Sequence, residues 1–208
     1  MDEIRKQLME QREQIPGRAE ANRQLAARLL PFLSRLDKAR PFESIGLYIP
    51  TGAEADALIR WTLPAFHGWK LGVPKTKGSA MAFYAPKQLR PGTFGILEPA
   101  DEWAGNPSFV PDVLIIPMLR FYDGWRMGYG KGFYDRYLQK HPNCIRIGIA
   151  YDEQEHPFTP NSWDERLDVI LTPTRTLFYS EDVQKLLAEE HKQPESAADP
   201  EQSERNPG

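Results

Sequence analysis

Arg126-Met127-Gly128-Tyr129-Gly130-Lys131-Gly132-Phe133-Tyr134-Asp135-Arg136-Tyr137-Leu138 sets three alternate glycines between a predicted strand and a predicted helix. Glycines so spaced let successive backbone N–H groups turn inward together, and the helix that follows adds the partial positive charge of its N-terminus, so the loop is suited to phosphate. Lys131 adds a full charge at its centre, and Arg126 at its entrance is able to make the bidentate contacts that lysine cannot. The spacing is not that of a Walker A loop, which needs four residues before Gly-Lys and then Ser or Thr. Nor is it the dinucleotide fingerprint, whose third glycine comes two residues later. A bare Gly-x-Gly-x-Gly is served equally by a tight turn. The flanking Arg126, Lys131, Tyr134 and Asp135 bring cations, an aromatic and a carboxylate into one segment, as a nucleotide site with a metal requires.

Outward from this loop, strands alternate with helices. The continuous aliphatic run at 112–117 suits a strand buried on both faces, and 133–140 reads as a helix. Toward the N-terminus, Ile4, Leu8, Ile15, Leu25, Leu29, Phe32 and Leu36 recur at helical spacing broken by Pro16-Gly17, which predicts two helices. Residues 44–49 form a short apolar run closed by Pro50, and 54–61 resume helical spacing. Strands are predicted at 70–73 and 80–84, separated by a turn at 74–78, then at 145–151 and 168–171, with a last helix at 182–190. The expectation is an α/β fold in one domain, residues 1–190: a largely parallel open sheet flanked by helices in three layers, with an N-terminal helical pair. Ligands in such sheets sit beyond the carboxyl ends of the strands. Residues 191–208 hold no aliphatic side chain larger than alanine and read as a disordered tail.

Composition narrows the function. With 208 residues the chain supports one sizeable core, and a formal charge of −3 lacks the basic excess of a nucleic-acid binder, so a small-molecule partner is expected. The single cysteine, Cys144, permits no intrachain disulfide and fits a reducing compartment; it precedes an apolar strand and reads as core rather than nucleophile. Histidine clusters and Cys-x-x-Cys spacings are absent, which argues against a zinc enzyme. The first residues mix acids and bases with no apolar run, and no apolar stretch approaches the ~20 residues of a membrane span. A cytoplasmic protein with no membrane association, monomer favoured, is the expectation.

The glycine loop closely resembles the signature of 5-formyltetrahydrofolate cyclo-ligases, Arg-Leu-Gly-x-Gly-x-Gly-Tyr-Tyr-Asp followed by a helix, with Met127 for Leu and Phe133 for the first Tyr. Residues 45–54, 95–99, 117–121, 147–154, 160–164 and 167–168 resemble further segments of that family. The resemblance implies an ATP-dependent enzyme that phosphorylates the formyl oxygen of 5-formyltetrahydrofolate, after which N10 attacks and phosphate leaves. It implies that Arg5, Arg126, Met127, Gly128, Tyr129, Gly130, Lys131, Gly132, Phe133 and Tyr134 bind ATP, with Lys131 and Arg126 catalytic. Ile49, Glu54, Phe94 and Tyr134 would contact the folate, and Asp135 and Asp164 would hold Mg²⁺. Met118 and Arg120 stand where the family has small residues, and the loop at 121–124 is about one residue short. These departures keep open a paralogue of the same fold that binds ATP but acts on, or only binds, another small molecule.

Overall fold

The computed structural model describes residues 2–57, 66, 68–86, 89–92, 97–99 and 107–190. Helix α1 (Glu3–Glu13) starts where the Asp2 carboxylate accepts from the Arg5 amide at 3.0 Å, one of the donors a helix start leaves over. Gly17, at φ +67°, turns the chain into α2 (Arg18–Ala39), which buries Leu25, Leu29, Phe32, Leu33 and Leu36 along one face. There follow β1 (Ser44–Gly46), β2 (Lys70–Lys77), β3 (Ala80–Tyr84), β4 (Leu89–Pro91), β5 (Leu97–Pro99) and β6 (Val113–Pro117). After a hairpin of β7 (Arg120–Tyr122) and β8 (Trp125–Met127), the glycine loop leads into α3 (Phe133–Lys140). The chain continues through β9 (Ile145–Ile149), a short 3₁₀ turn (Asp152–Gln154), β10 (Val169–Leu171), β11 (Thr176–Phe178) and α4 (Glu181–Glu190).

Seven of these strands form one sheet in the order β11-β10-β9-β6-β1-β2-β3, parallel through β10, β9, β6, β1 and β2, with antiparallel β11 and β3 at the edges. Alternation along the central strands sorts side chains into two cores. Val113, Ile115, Ile147, Val169 and Leu171 pack toward α2 and α4, whereas Leu114, Ile116 and Ile170 pack with Tyr137 and Leu138 of α3. The three-layer expectation holds. Cys144 belongs to the second core, where burial pushes its thiol up to about 12, so it is inert at neutral pH.

Several local readings are corrected. The turn expected at 74–78 is strand as far as Lys77, with the reversal at Gly78 and Ser79. Pro74 is tolerated because β1 pairs with β2 only as far as Gly72, so from Val73 onward β2 has one partner strand and fewer amides to satisfy. The strand expected at 44–49 stops at Gly46, and the one expected to run to Tyr151 stops at Ile149. Residues 54–57 are not helical, and 58–61 lie outside the described residues. Side chains take the local backbone groups instead, with the Glu54 carboxylate on the Thr51 amide and the Tyr48 hydroxyl on the Ala55 carbonyl. Between β6 and the glycine loop lies the unforeseen β7–β8 hairpin, closed by Asp123 (φ +47°) and Gly124 (φ +78°), the two positive φ values a tight two-residue hairpin turn demands. The tail at 191–208 and its expected disorder also lie outside the described residues.

Candidate functional site

After β1, β2 and β3 extend the sheet in one direction, the next strand added to it is β6 on the other side of β1, so the order reverses between β1 and β6. Such a reversal opens a crevice beyond the strand ends. A cavity of about 680 Å³ lies there, walled by Ile49, Thr51 and Glu54 after β1, Pro74 and Thr76 of β2, Pro117 at the end of β6, and the whole stretch 126–135. Arg5 and Met9 of α1, Tyr48, Met81, Phe158 and Asp164 complete much of the wall. Every site residue expected from the sequence lines this one cavity except Phe94, which lies outside the described residues. A second cavity of about 550 Å³ shares the glycine loop and adds Arg136, Gln139 and Trp163.

The loop is built to approach a ligand closely. Gly130 and Gly132 take φ of +84° and +62°, a region that costs an L residue about 1–2 kcal/mol. The guanidiniums of Arg5 and Arg136 lie close beside Gly130 and Gly132, where a Cβ would meet them. Arg5 donates its Nε to the Gly128 carbonyl at 2.8 Å, tying α1 to the loop. Lys131 is exposed on the wall shared by the two cavities.

Arg126 is directed inward by the hairpin, opposite fully buried Phe121. Its side chain is 4% exposed and its Nη2 donates to Asp135 Oδ1 at 2.8 Å, the carboxylate being 14% exposed. Its guanidinium also lies 5.3 Å over the Tyr134 ring. The arginine and carboxylate that the family resemblance assigned to different ligands therefore meet each other at the cavity wall. Arg126 Nε is a buried donor with no partner among the described residues.

Glu54, buried, is held from two sides. Its Oε2 accepts from the Thr51 amide at 2.7 Å and the Thr51 hydroxyl at 3.1 Å, while Oε1 accepts from the Tyr129 hydroxyl. Burial first, and then the charge of Glu54, pushes the Tyr129 hydroxyl well above the ordinary tyrosine value, so it stays protonated as a donor. Tyr134 is raised by the same two causes in the same order. Sequence reasoning missed Arg12, whose Nη2 donates to Tyr129 Oη at 2.9 Å. The available signal was its spacing, since Arg5, Met9 and Arg12 follow one another on a single helical face. Neither Met118 nor Arg120 lies on the wall of either cavity. The Met118 side chain instead lies close over Gly148, and Arg120 pairs with Met127 across the hairpin.

Asp135 and Asp164 both face the cavity, each with one oxygen engaged: Asp135 Oδ1 by Arg126 and by the Glu165 amide at 3.4 Å, Asp164 Oδ2 by the Asn161 amide at 2.7 Å. Among the described residues no three His, Cys, Asp or Glu side chains converge to hold a metal by themselves. Mg²⁺ does not ask for that. It takes one or two carboxylates plus water and phosphate oxygens, so the donor set fits it.

An open α/β sheet with a glycine loop, the cations Arg5, Arg126 and Lys131 and the carboxylates Asp135 and Asp164 around a cavity at its switch point defines a small-molecule-binding α/β protein. The chain belongs to the 5-formyltetrahydrofolate cyclo-ligase family, whose model matches residues 1–173. A 5-formyltetrahydrofolate cyclo-ligase of Mycoplasma genitalium is 46% identical over 68 residues, covering 32% of this chain and 41% of that protein. The chain thus aligns with about two fifths of the length of that curated relative. The cyclo-ligase of Mycolicibacterium smegmatis is 30% identical over 142 residues, 62% of this chain and 72% of the relative. Among solved structures, the 5,10-methenyltetrahydrofolate synthetase of Aquifex aeolicus superposes with a TM-score of 0.68 at 26% identity, covering 86% of this chain and 92% of that one. The synthetase of Mycoplasma pneumoniae superposes with a TM-score of 0.63 at 25% identity, covering 82% and 96%.

Proposed function

We propose that the protein converts 5-formyltetrahydrofolate to 5,10-methenyltetrahydrofolate at the expense of ATP, releasing ADP and phosphate. The observation that carries this reading is the meeting, in one cavity, of a loop suited to phosphate with a buried carboxylate set among aromatic and aliphatic walls. Arg5, Lys131 and the backbone from Gly128 to Gly132 hold the triphosphate. Tyr48, Ile49, Phe133 and Tyr134 offer flat apolar surface to the pterin, and Glu54 accepts from an N–H near the formyl group.

The transferred phosphoryl group goes to the formyl oxygen; N10 then attacks the activated carbon, the C–O bond breaks, phosphate leaves with the bonding pair and N10 loses its proton. Such a reaction asks chiefly for positioning and charge neutralisation. Lys131 supplies a compact charge beside the transferring group, and Arg126 orients Asp135 and Tyr134 from behind. Asp135 and Asp164 would hold Mg²⁺, which supplies charge neutralisation to the phosphate oxygens. The protein acts in the cytoplasm, residues 1–190 forming the catalytic domain; no helix among the described residues is long and apolar enough to cross a membrane.

The test is the absorbance of the methenyl product formed from 5-formyltetrahydrofolate, with ATP and Mg²⁺ supplied together and singly. Product is expected only with both present. ATP binding without any turnover would refute the reading.

A further inference from the structure

Arg12 is buried at 4% exposure on the α1 face that carries Arg5 and Met9 to the cavity. Taking a guanidinium out of water costs several kcal/mol unless a partner offsets it, yet among the described residues no carboxylate touches it. Its contacts are the Tyr129 hydroxyl at 2.9 Å, the Met118 carbonyl at 3.4 Å and the Tyr129 ring, 5.7 Å away; its Nε has no partner among the described residues. The charge therefore reaches its counter-ion through one atom. A guanidinium only donates and an ionised carboxylate only accepts, so the phenol oxygen accepts from Arg12 and commits its single hydrogen to Glu54. Thr51 holds the other oxygen of Glu54.

We propose that Arg12 is a positioning residue for the substrate end of the cavity: acting through Tyr129, it fixes the direction in which the Glu54 carboxylate faces and keeps it an acceptor for an N–H of the folate. The inference rests on the cyclo-ligase reading. It separates Arg12 from Arg5 on the same face, since Arg5 bonds the phosphate loop at Gly128 and Arg12 bonds the carboxylate relay. A residue that merely filled the inner face of α1 would act differently, because its loss would cost affinity on any background and for both ligands.

A double-mutant cycle distinguishes the two. Affinities for 5-formyltetrahydrofolate and for a non-hydrolysable ATP analogue are measured by calorimetry on the full chain carrying Arg12→Gln, Glu54→Gln and both. Arg12→Gln is expected to weaken folate binding about tenfold, the scale of a lost hydrogen bond to a charged group, and less than about twofold once Glu54 is already Gln. Affinity for the ATP analogue should change by less than about twofold throughout. Tyr129→Phe keeps the ring under Arg12, removes the relay atom, and should give the same coupling to Glu54; it carries the cycle alone if Arg12→Gln does not fold. Equal loss on both backgrounds, or parallel loss of both ligands, overturns the proposal. Wild-type protein that binds the ATP analogue but no folate overturns the cyclo-ligase reading and the inference with it.

Discussion

Lys131 and Asp135 stand four positions apart and make opposite demands on the fold. Lys131 is exposed on a loop between two glycines, so Lys131→Ala should leave the melting temperature nearly unchanged, within about 0.5 kcal/mol of stability. Turnover should nevertheless fall about a hundredfold or more, the scale of one lost electrostatic stabiliser. Lys131→Arg should rescue it only in part. Asp135→Asn instead leaves Arg126, 4% exposed, without its counter-charge, and removing one member of such a pair costs roughly 3–5 kcal/mol. That variant should lose stability and activity together. Thermal melts beside steady-state kinetics separate the two cases, and near-normal turnover in Lys131→Ala would leave the glycine backbone as the whole phosphate site. At this scale the sequence was readable where chemistry clusters along the chain, as in 126–135. For Arg12 it offered only the helical spacing from Arg5 and Met9, because a lone arginine on a helix otherwise reads as a solvated face. Its partner Tyr129 lies 117 positions away.

Elements differed in legibility for a physical reason. β6, β9 and α3 announce themselves because their aliphatic runs or helical periods are what a sheet buried on both faces and an amphipathic helix require. The β7–β8 hairpin has no such pattern, since Arg120, Trp125 and Arg126 do not read as a strand; its pairing is set by the conformation of Asp123 and Gly124. The 3₁₀ turn after β9 is similar, being held by side chains: Gln154 Oε1 accepts from the Tyr151 amide at 2.8 Å, and Asp152 ties the turn to the next connection. Asp152 Oδ1 accepts from the Thr172 hydroxyl at 2.6 Å, the Thr174 hydroxyl at 2.8 Å and Arg175 Nε at 3.1 Å, locking that turn to the β10–β11 connection. Burial alone would raise the Asp152 carboxyl, but these donors outweigh it and hold the group below its ordinary value of 3.8. Its folded pKa is thus lower than its unfolded one, so the stability it contributes is present above the unfolded value and is lost as pH falls through the folded one. Asp152→Asn should therefore lower the melting temperature at pH ~7, and the gap to wild type should narrow as the pH is taken below the ordinary carboxylate value. A gap that persisted unchanged in acid would mean that shape, and not charge, makes the contact.

On the scale of the whole molecule, the site is assembled from parts of the chain that the sheet core does not hold equally. β1, β6 and α3 reach the cavity from the two packed cores, whereas α1 contributes no residue to either core beyond the adjoining Ile15. What fastens α1 is the buried Leu8 together with Arg5 on the Gly128 carbonyl and Arg12 on Tyr129 and Met118. An 11-residue helix is marginal by itself, so α1 persists only while docked. Its docking contacts are made to the very segment that the ligands occupy. Ligands that pull on the loop from Gly128 to Gly132 and on Glu54 therefore also stabilise α1, because binding to the docked form alone draws the undocked form toward it. Saturation at about a hundredfold over Kd adds about 2.7 kcal/mol to the docked state, which would slow exchange of the α1 amides by up to about a hundredfold. Amides of β6 and β9, whose protection comes from the sheet, should slow only as far as global unfolding limits them. Hydrogen exchange followed by mass spectrometry, with and without ATP analogue and folate, measures the two sets side by side. Deletion of residues 2–13 should then leave a folded sheet by circular dichroism but remove ligand-induced stabilisation of the melt. Equal slowing of α1 and of the central strands, or full ligand stabilisation after the deletion, would show that α1 is a passive ornament of the fold rather than a wall of the site.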